Sequence, residues 1–341
     1  MRDSGILLPM ASLPSPWGIG SLGREAADFA AYLAAAGQSV WQVLPLSVTD
    51  FVHSPYASPS AFAGNPMLMD IAALAEEGLL SPAEAQPVGS PARDRIDYGF
   101  AAAEKERCLR RAYRAFSLSP SADYTAFRER ESPWLEGYAL FSALKTYHGG
   151  RPWWQWEREI RDREPAALAR CRKELAEEIG FVCFCQYLFS RQLAALRSRL
   201  RAQGITLIGD IPFYVAHDSA DVWENRSLFA LREDGSVRLS AGVPPDFFSA
   251  RGQLWGNPVY NWSEMAADGY GFWMRRLARC GDMYDEVRLD HFRALDSYMR
   301  FPEGRRMPPW ANGGRDPVRR FSIRCGGGCP ICGGSRRIWE S

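Results

Sequence analysis

The 341-residue chain is poor in the features that mark membrane, secreted or nucleic-acid-binding proteins. Its first residues, MRDSGILLPMASLPSPWG, contain no basic region followed by a long apolar stretch, and no run of about 18 apolar residues occurs anywhere. A cytoplasmic location is therefore expected, with no membrane partner. Charge of one sign is also lacking: 41 Lys and Arg stand against 40 Asp and Glu, so no net field draws the protein to nucleic acid or to an anionic surface. A neutral, polar substrate fits that balance. No strand is followed by a glycine-rich fingerprint or phosphate loop, and no internal repeat or low-complexity linker is evident.

Metal signals are equally thin. His217, His291, Asp218 and Asp221 bring imidazole and carboxylate together, but no HxxxH or similar ligand spacing joins them. Cys325, Cys329 and Cys332 cluster without a fourth ligand at matching spacing, whereas Cys108, Cys171, Cys183, Cys185 and Cys280 are scattered through helical or apolar sequence. The expectation is reduced, packed thiols with neither metal ion nor cofactor.

What is present is an α/β rhythm. Ala-rich sequence from Glu25 to Ala36, with Phe29, Tyr32 and Leu33 at helical spacing, is closed by Gly37. A short apolar strand from Val40 to Leu46 follows, then a polar, Pro-rich loop from Ser47 to Pro66. Residues of about 80–180 are charged and helical and include Trp153, Trp154 and Trp156, which predicts a helical insertion. A helix from Val182 to Ala202 then feeds the strand ITLIGDI, and another near Tyr270 to Cys280 precedes EVRLDHF. Alternating helices and strands predict a parallel sheet, and polar residues at strand ends followed by long loops favour a (β/α) barrel over a doubly wound sheet.

Two strands carry the chemistry. Residues two apart share a face, so in VRLDHF the pattern puts Arg288 and Asp290 on one side and Val287, Leu289 and His291 on the other. A carboxylate beside a fixed guanidinium stays ionised, which suits a nucleophile; a buried ion pair closing a barrel layer is the structural alternative. ITLIGDI brings Thr206, Ile208 and Asp210 to one face, with Asp210 at the rim either to bind hydroxyls or to cap a loop. The loops add His53, Ser54 and Tyr56 early, and Phe247, Phe248, Gln253, Trp255, Asn257 and Tyr260 later. Flat apolar rings beside hydrogen-bonding groups suit pyranose rings.

The blocks SGILLPMASLPSPWGIGSLG, WQVLPL, SPYASPSAFAGNPMLMDI, GDIPFYVAHDSADVW, AGVPPDFFSARGQLWGNPVYNW and VRLDHFRALDSYM resemble, in order, those of the amylomaltases and disproportionating enzymes of glycoside hydrolase family 77. The resemblance implies a (β/α)8 TIM barrel with helical insertion subdomains, only the N-terminal part of it in this chain. It implies 4-alpha-glucanotransfer on α-1,4-glucans by a retaining double displacement, with Asp290 as nucleophile and Arg288 orienting it. Tyr56, Asp210, Gln253 and Trp255 match positions in the family's donor groove, and Phe247 lies in GVPPDFF, which matches the loop that folds over the bound glucan; Ser54, Asn257 and His291 complete the expected substrate-binding set. An α-glucan hydrolase and a non-catalytic glucan-binding remnant are the competing readings. Val48, Asp50, Phe51 and His53 depart from the small residues expected after the first strand.

The retaining scheme needs a second carboxyl group about 5–5.5 Å from the first. The family's acid/base Glu, in a motif resembling AEDLG, does not occur in the chain. Beyond Met299 the sequence becomes rich in Arg, Gly, Pro and Cys without apolar periodicity. Arg336 to Ser341 can be encoded CGG AGG ATC TGG GAA TCA, which regrouped after a preceding G reads Ala-Glu-Asp-Leu-Gly-Ile. Regrouping Asn312 to Ile323 likewise permits Trp-x-x-Gly-Pro-Gly-x-Ala-x-Phe-Asp, a block resembling the one upstream of that motif. The expectation is a barrel portion over residues 1–299 and an out-of-frame tail over 300–341 with no fold of its own, leaving this copy impaired or inactive.

Overall fold

A computed structural model describes residues 3–302 except 51, 93 and 246–248, together with the backbone of 313–315 and 338–339. Chain order begins β1 (Gly5–Leu7), α1 (Arg24–Ala35) and β2 (Val40–Gln42). A helical stretch follows: α2 (Ala72–Glu76), α3 (Tyr98–Ser117), α4 (Ala122–Tyr147), α5 (Arg158–Arg161), α6 (Pro165–Glu174) and α7 (Ala176–Ala202). Then come β3 (Thr206–Ile211), α8 (Ala220–Glu224), β4 (Leu239–Val243), β5 (Gln253–Pro258), α9 (Trp262–Ala267), α10 (Gly271–Met283) and β6 (Glu286–Leu289). Strands β7 (Ser297–Pro302), β8 (Gly313–Arg315) and β9 (Ile338–Trp339) complete the order.

The parallel sheet expected from the sequence is present, in the order β1-β2-β3-β6-β9. Its register aligns Val40 with Thr206, Gln42 with Ile208, and Asp210 with Arg288. Helix α1 forms because Ala26, Ala30 and Leu33 recur on one buried face, and Gly37 ends it in the left-handed region at φ 70°. Strand β2 is shorter than expected. Val43 N–H still donates to the Ile208 carbonyl, but Pro45 has no N–H and Leu46 N–H turns to the Tyr284 hydroxyl, so the ladder stops.

Helix α7 starts earlier than the sequence pattern predicts. It is long and apolar enough to cross a membrane by length and composition, but 67% of its apolar window is buried inside the protein, which makes it a core helix here. It packs against α4, α1 and α3 and carries the fully buried Gln186, whose amide accepts from Gly64 N–H at 2.8 Å and donates to the Gly64 carbonyl at 2.9 Å. That pair satisfies both backbone groups of a buried loop position. Gly64 itself is required, since an added Cβ would lie 2.1 Å from the Phe189 ring.

A second, antiparallel sheet in the order β5-β4-β7-β8 was not expected from the sequence. Its strands are Gly- and Pro-bearing, β4 pairs with β5 through a register shift between Ser240 and Gly242, and β4 meets β7 across a long separation, so no local alternation announces them. Strand β5 leaves this sheet exposed over four residues and stands beside the C-terminal ends of β3 and β6.

Candidate active site

The ends of β3 and β6 make the floor. Because Asp210 is in register with Arg288, one guanidinium reaches two carboxylates: Nη1 meets Asp210 Oδ1 and Nη2 meets Asp290 Oδ1, both at 2.8 Å. Tyr56, on the loop after β2, donates its hydroxyl to Asp210 Oδ2 at 2.7 Å. The carboxylates differ sharply in exposure, the Asp290 side chain being 40% accessible and Asp210 1%. Asp210 is therefore not the rim residue expected from the sequence but a buried support beneath the rim. Burial pushes its carboxyl above the usual range, against the pull of Tyr56 and Arg288. Burial also works against the Arg288 cation, yet Asp210 and Asp290 outweigh it and raise the guanidinium above its ordinary value. The Tyr56 phenol is raised by burial and by its bond to Asp210.

The alternation expected through His291 fails at the strand end. Strand β6 stops at Leu289, Asp290 N–H donates to the Ile211 carbonyl at 3.0 Å, and His291 adopts the left-handed φ of 53°. The chain reverses there, so Asp290 and His291 line the same cleft. Burial lowers the His291 imidazole below its usual value, against the opposing Asp290 charge. At position 209 only glycine fits, because a Cβ would lie 2.3 Å from the Tyr284 ring.

Above this floor opens a cleft of about 720 Å³. Seven residues expected to be catalytic or substrate-binding line it: Ser54, Tyr56, Gln253, Trp255, Asn257, Asp290 and His291. Trp255 stands edge-on to His291 at 5.1 Å between ring centres, and its indole N–H donates to Gln253 Oε1 at 3.0 Å. Ser54 Oγ accepts from Tyr56 N–H at 3.3 Å. Asn257 is partly committed elsewhere, as its Nδ2 donates to the Val215 carbonyl. Tyr260 is fully buried and donates to the Phe213 carbonyl, so it is framework rather than lining. Phe247 and Phe248 lie outside the described residues. Asp50, Phe213, Tyr214 and His217 also line the cleft and were not assigned to it from the sequence. Their signal was available, since Phe213, Tyr214 and His217 follow Asp210 within one motif block.

The four residues that invited a metal reading serve separate purposes. His217 stacks on Trp154 at 3.8 Å, and its Nε2 lies 2.8 Å from the Gly235 carbonyl. Asp218 pairs with Lys145, and Asp221 accepts from Ala61 N–H. Among the described residues no group of three or more His, Cys, Asp or Glu could hold a metal ion. The five cysteines from Cys108 to Cys280 are buried free thiols.

The family model for 4-alpha-glucanotransferase matches residues 8–333. This chain belongs to the 4-alpha-glucanotransferase family. It is 48% identical over 305 residues to the 4-alpha-glucanotransferase of Thermus thermophilus, covering 88% of this chain and 60% of that protein. To the Synechocystis sp. 4-alpha-glucanotransferase it is 45% identical over 311 residues, covering 89% and 61%. The chain thus spans about three fifths of the length of these family relatives. An amylomaltase from Streptococcus agalactiae, solved in complex with acarbose, superposes with a TM-score of 0.93 at 34% identity, covering 99% of this chain and 68% of that one. The 4-alpha-glucanotransferase family match runs on past Met299, where the recognisable sequence blocks end.

Proposed function

We propose that the cleft is the donor site of a 4-alpha-glucanotransferase and that Asp290 is its nucleophile. The observation that carries this is the forked Arg288 contact. It aims an accessible carboxylate into a cleft walled by Trp255, His291 and Tyr56 and keeps a second carboxylate buried behind it. In the double displacement, an Asp290 oxygen bonds to the anomeric carbon as the bond to the leaving 4-oxygen breaks and that oxygen takes a proton from the acid/base carboxyl, which regains one from the acceptor in the second step. A 4-hydroxyl of an acceptor glucan then reverses the step. Aromatic loops that exclude water favour the sugar acceptor over hydrolysis. Ser54, Gln253 and Asn257 supply hydroxyl-binding groups, Phe247 belongs to the same substrate set, and Asp210 and Tyr56 keep Arg288 oriented. The protein acts on α-1,4-glucans in the cytoplasm, without metal ion or cofactor.

The parallel sheet is, in this reading, the N-terminal part of a (β/α)8 barrel carrying a mainly helical insertion at about 80–180. The acid/base glutamate lies in the neighbouring reading frame of the segment after Met299, with residues 300–341 read out of frame and this copy impaired. Resequencing across the codons for Met299 and Arg300 decides it, since a verified frame without the glutamate motif refutes the reconstruction.

An α-maltotriosyl fluoride tests the nucleophile without needing the acid. Its C–F bond breaks without proton donation, so Asp290 forms the glycosyl ester as fluoride leaves. Intact-mass spectrometry should find one maltotriosyl unit added, peptide mapping should place it on the peptide containing Asp290, and Asp290→Asn should carry none. An unlabelled parent protein sinks the assignment.

A further inference from the structure

Two loops that line the cleft are each tied down by an ionisable side chain buried below them. The first loop, residues 47–65, carries Ser54 and Tyr56; the second, residues 212–219, carries Tyr214 and His217. Strand β3 ends at Ile211, and Pro212 has no N–H, so the Pro212 and Phe213 carbonyls leave the sheet without ladder partners. Arg276, on α10 and 2% exposed, donates to both carbonyls, at 2.8 Å for Phe213, and to the Tyr260 hydroxyl at 3.2 Å. Tyr260 in turn donates to the same Phe213 carbonyl at 2.7 Å. Below the first loop, Asp221 on α8 is 4% exposed and accepts the Ala61 N–H at 2.7 Å, while Ala220 N–H donates to the Pro59 carbonyl.

A buried ion of this kind is costly, and an apolar side chain of similar volume would often stabilise the fold at least as well. A guanidinium offers something an apolar group lacks, a planar fork that fixes two successive carbonyls at set angles. We propose that Arg276 and Asp221 are positioning residues, two buried clamps that set the spacing of the loops forming the cleft's glucan-facing walls. The proposal rests on the reading of the cleft as a glucan site. Arg276 acts on the wall that follows Asp210, and Asp221 on the wall that brings Tyr56 to Asp210. Burial pushes the Asp221 carboxyl up to about 7, against the Ala61 N–H and the Arg276 charge, which favour its ionised form, so the clamps are electrostatically linked.

The test uses the full chain with maltoheptaose as probe, read by calorimetry and by amide hydrogen exchange. Arg276→Met and Asp221→Ala should each weaken binding about tenfold or more. Exchange should rise locally, in 212–219 for Arg276→Met and in 57–64 for Asp221→Ala. Asp221→Asn keeps an oxygen to accept the Ala61 N–H and should stay within about twofold of the parent, and Arg276→Lys should fall between parent and Met. Folded variants that bind as tightly as the parent overturn the proposal, as does an Asn variant as damaged as the Ala one. If Arg276→Met does not fold, the contrast between the Asp221 variants decides. If the parent itself does not bind maltoheptaose, the glucan reading of the cleft falls; loop-local exchange would still support the clamps, and a global rise would overturn them.

Discussion

On the helix-covered face of the parallel sheet Trp41, Leu207, Val287 and Leu289 are buried, whereas on the opposite face Gln42, Ile208, Glu286 and Arg288 are only partly covered. The first face is held by packing. Trp41 is fully buried, has Phe29 edge-on at 4.9 Å, and donates its indole N–H to the Leu8 carbonyl. The second face bears the groups that converge at Asp210 and Asp290. One set of alternating positions therefore stabilises the strands and the other equips them, and substitutions should separate the two roles.

The largest effect belongs to the packed face. Trp41→Ala should lower stability by about 3–5 kcal/mol in urea unfolding, while the protein that remains folded still accepts the maltotriosyl label. On the polar face, Arg288→Met leaves Asp210 buried without its cation. Its cost should be about 1–3 kcal/mol, discounted for the partial exposure of Arg288, with labelling of Asp290 slowed at least tenfold. Equal loss of labelling in both variants would erase the distinction between the faces.

Acid titration sharpens the comparison, because two carboxylates at the ends of these strands respond in opposite directions. Asp285, at the start of β6, is disfavoured by burial, but Arg197, the Leu207 N–H and Arg201 outweigh that and lower it. Its contribution is present above the ordinary Asp value near 3.8 and is lost as pH falls through the lower folded value. Asp210 is raised, so its contribution is complete below 3.8 and is lost as pH rises through the higher folded value. Melting temperatures across pH should show Asp285→Asn losing stability at neutral pH and Asp210→Asn gaining or holding it. The smallest effect is expected from Glu286→Gln, within about 0.5 kcal/mol, since that side chain is only partly covered.

Much of this was legible in the sequence because local pattern and tertiary role agree. Helix α1, the strand ITLIGDI and the strand at Val287 are recognisable from apolar spacing, and the same spacing puts Arg288 beside Asp290. Alternation predicts the other face for His291 because it takes no account of the strand end at Leu289. Spacing places Asp210 at the rim because it gives the residue's face but not its depth, which is set by Tyr56 arriving from a distant loop. The antiparallel sheet escapes a local reading because β4 meets β7 across a long separation, and β5, which presents Gln253 and Trp255, pairs with β4 through a shifted register. Arg276 reads as an ordinary helical arginine until the carbonyls it binds are seen.

The buried thiols give the protein a built-in set of reporters. Burial pushes Cys183 up to about 12 and Cys280 up to about 11, so a thiolate is scarce at neutral pH and an alkylating reagent has to wait for the surrounding structure to open. Cys108, Cys171, Cys183 and Cys280 sit on α3, α6, α7 and α10 respectively. Their alkylation times, followed peptide by peptide, would time the opening of α3 and α6 against that of α7 and α10.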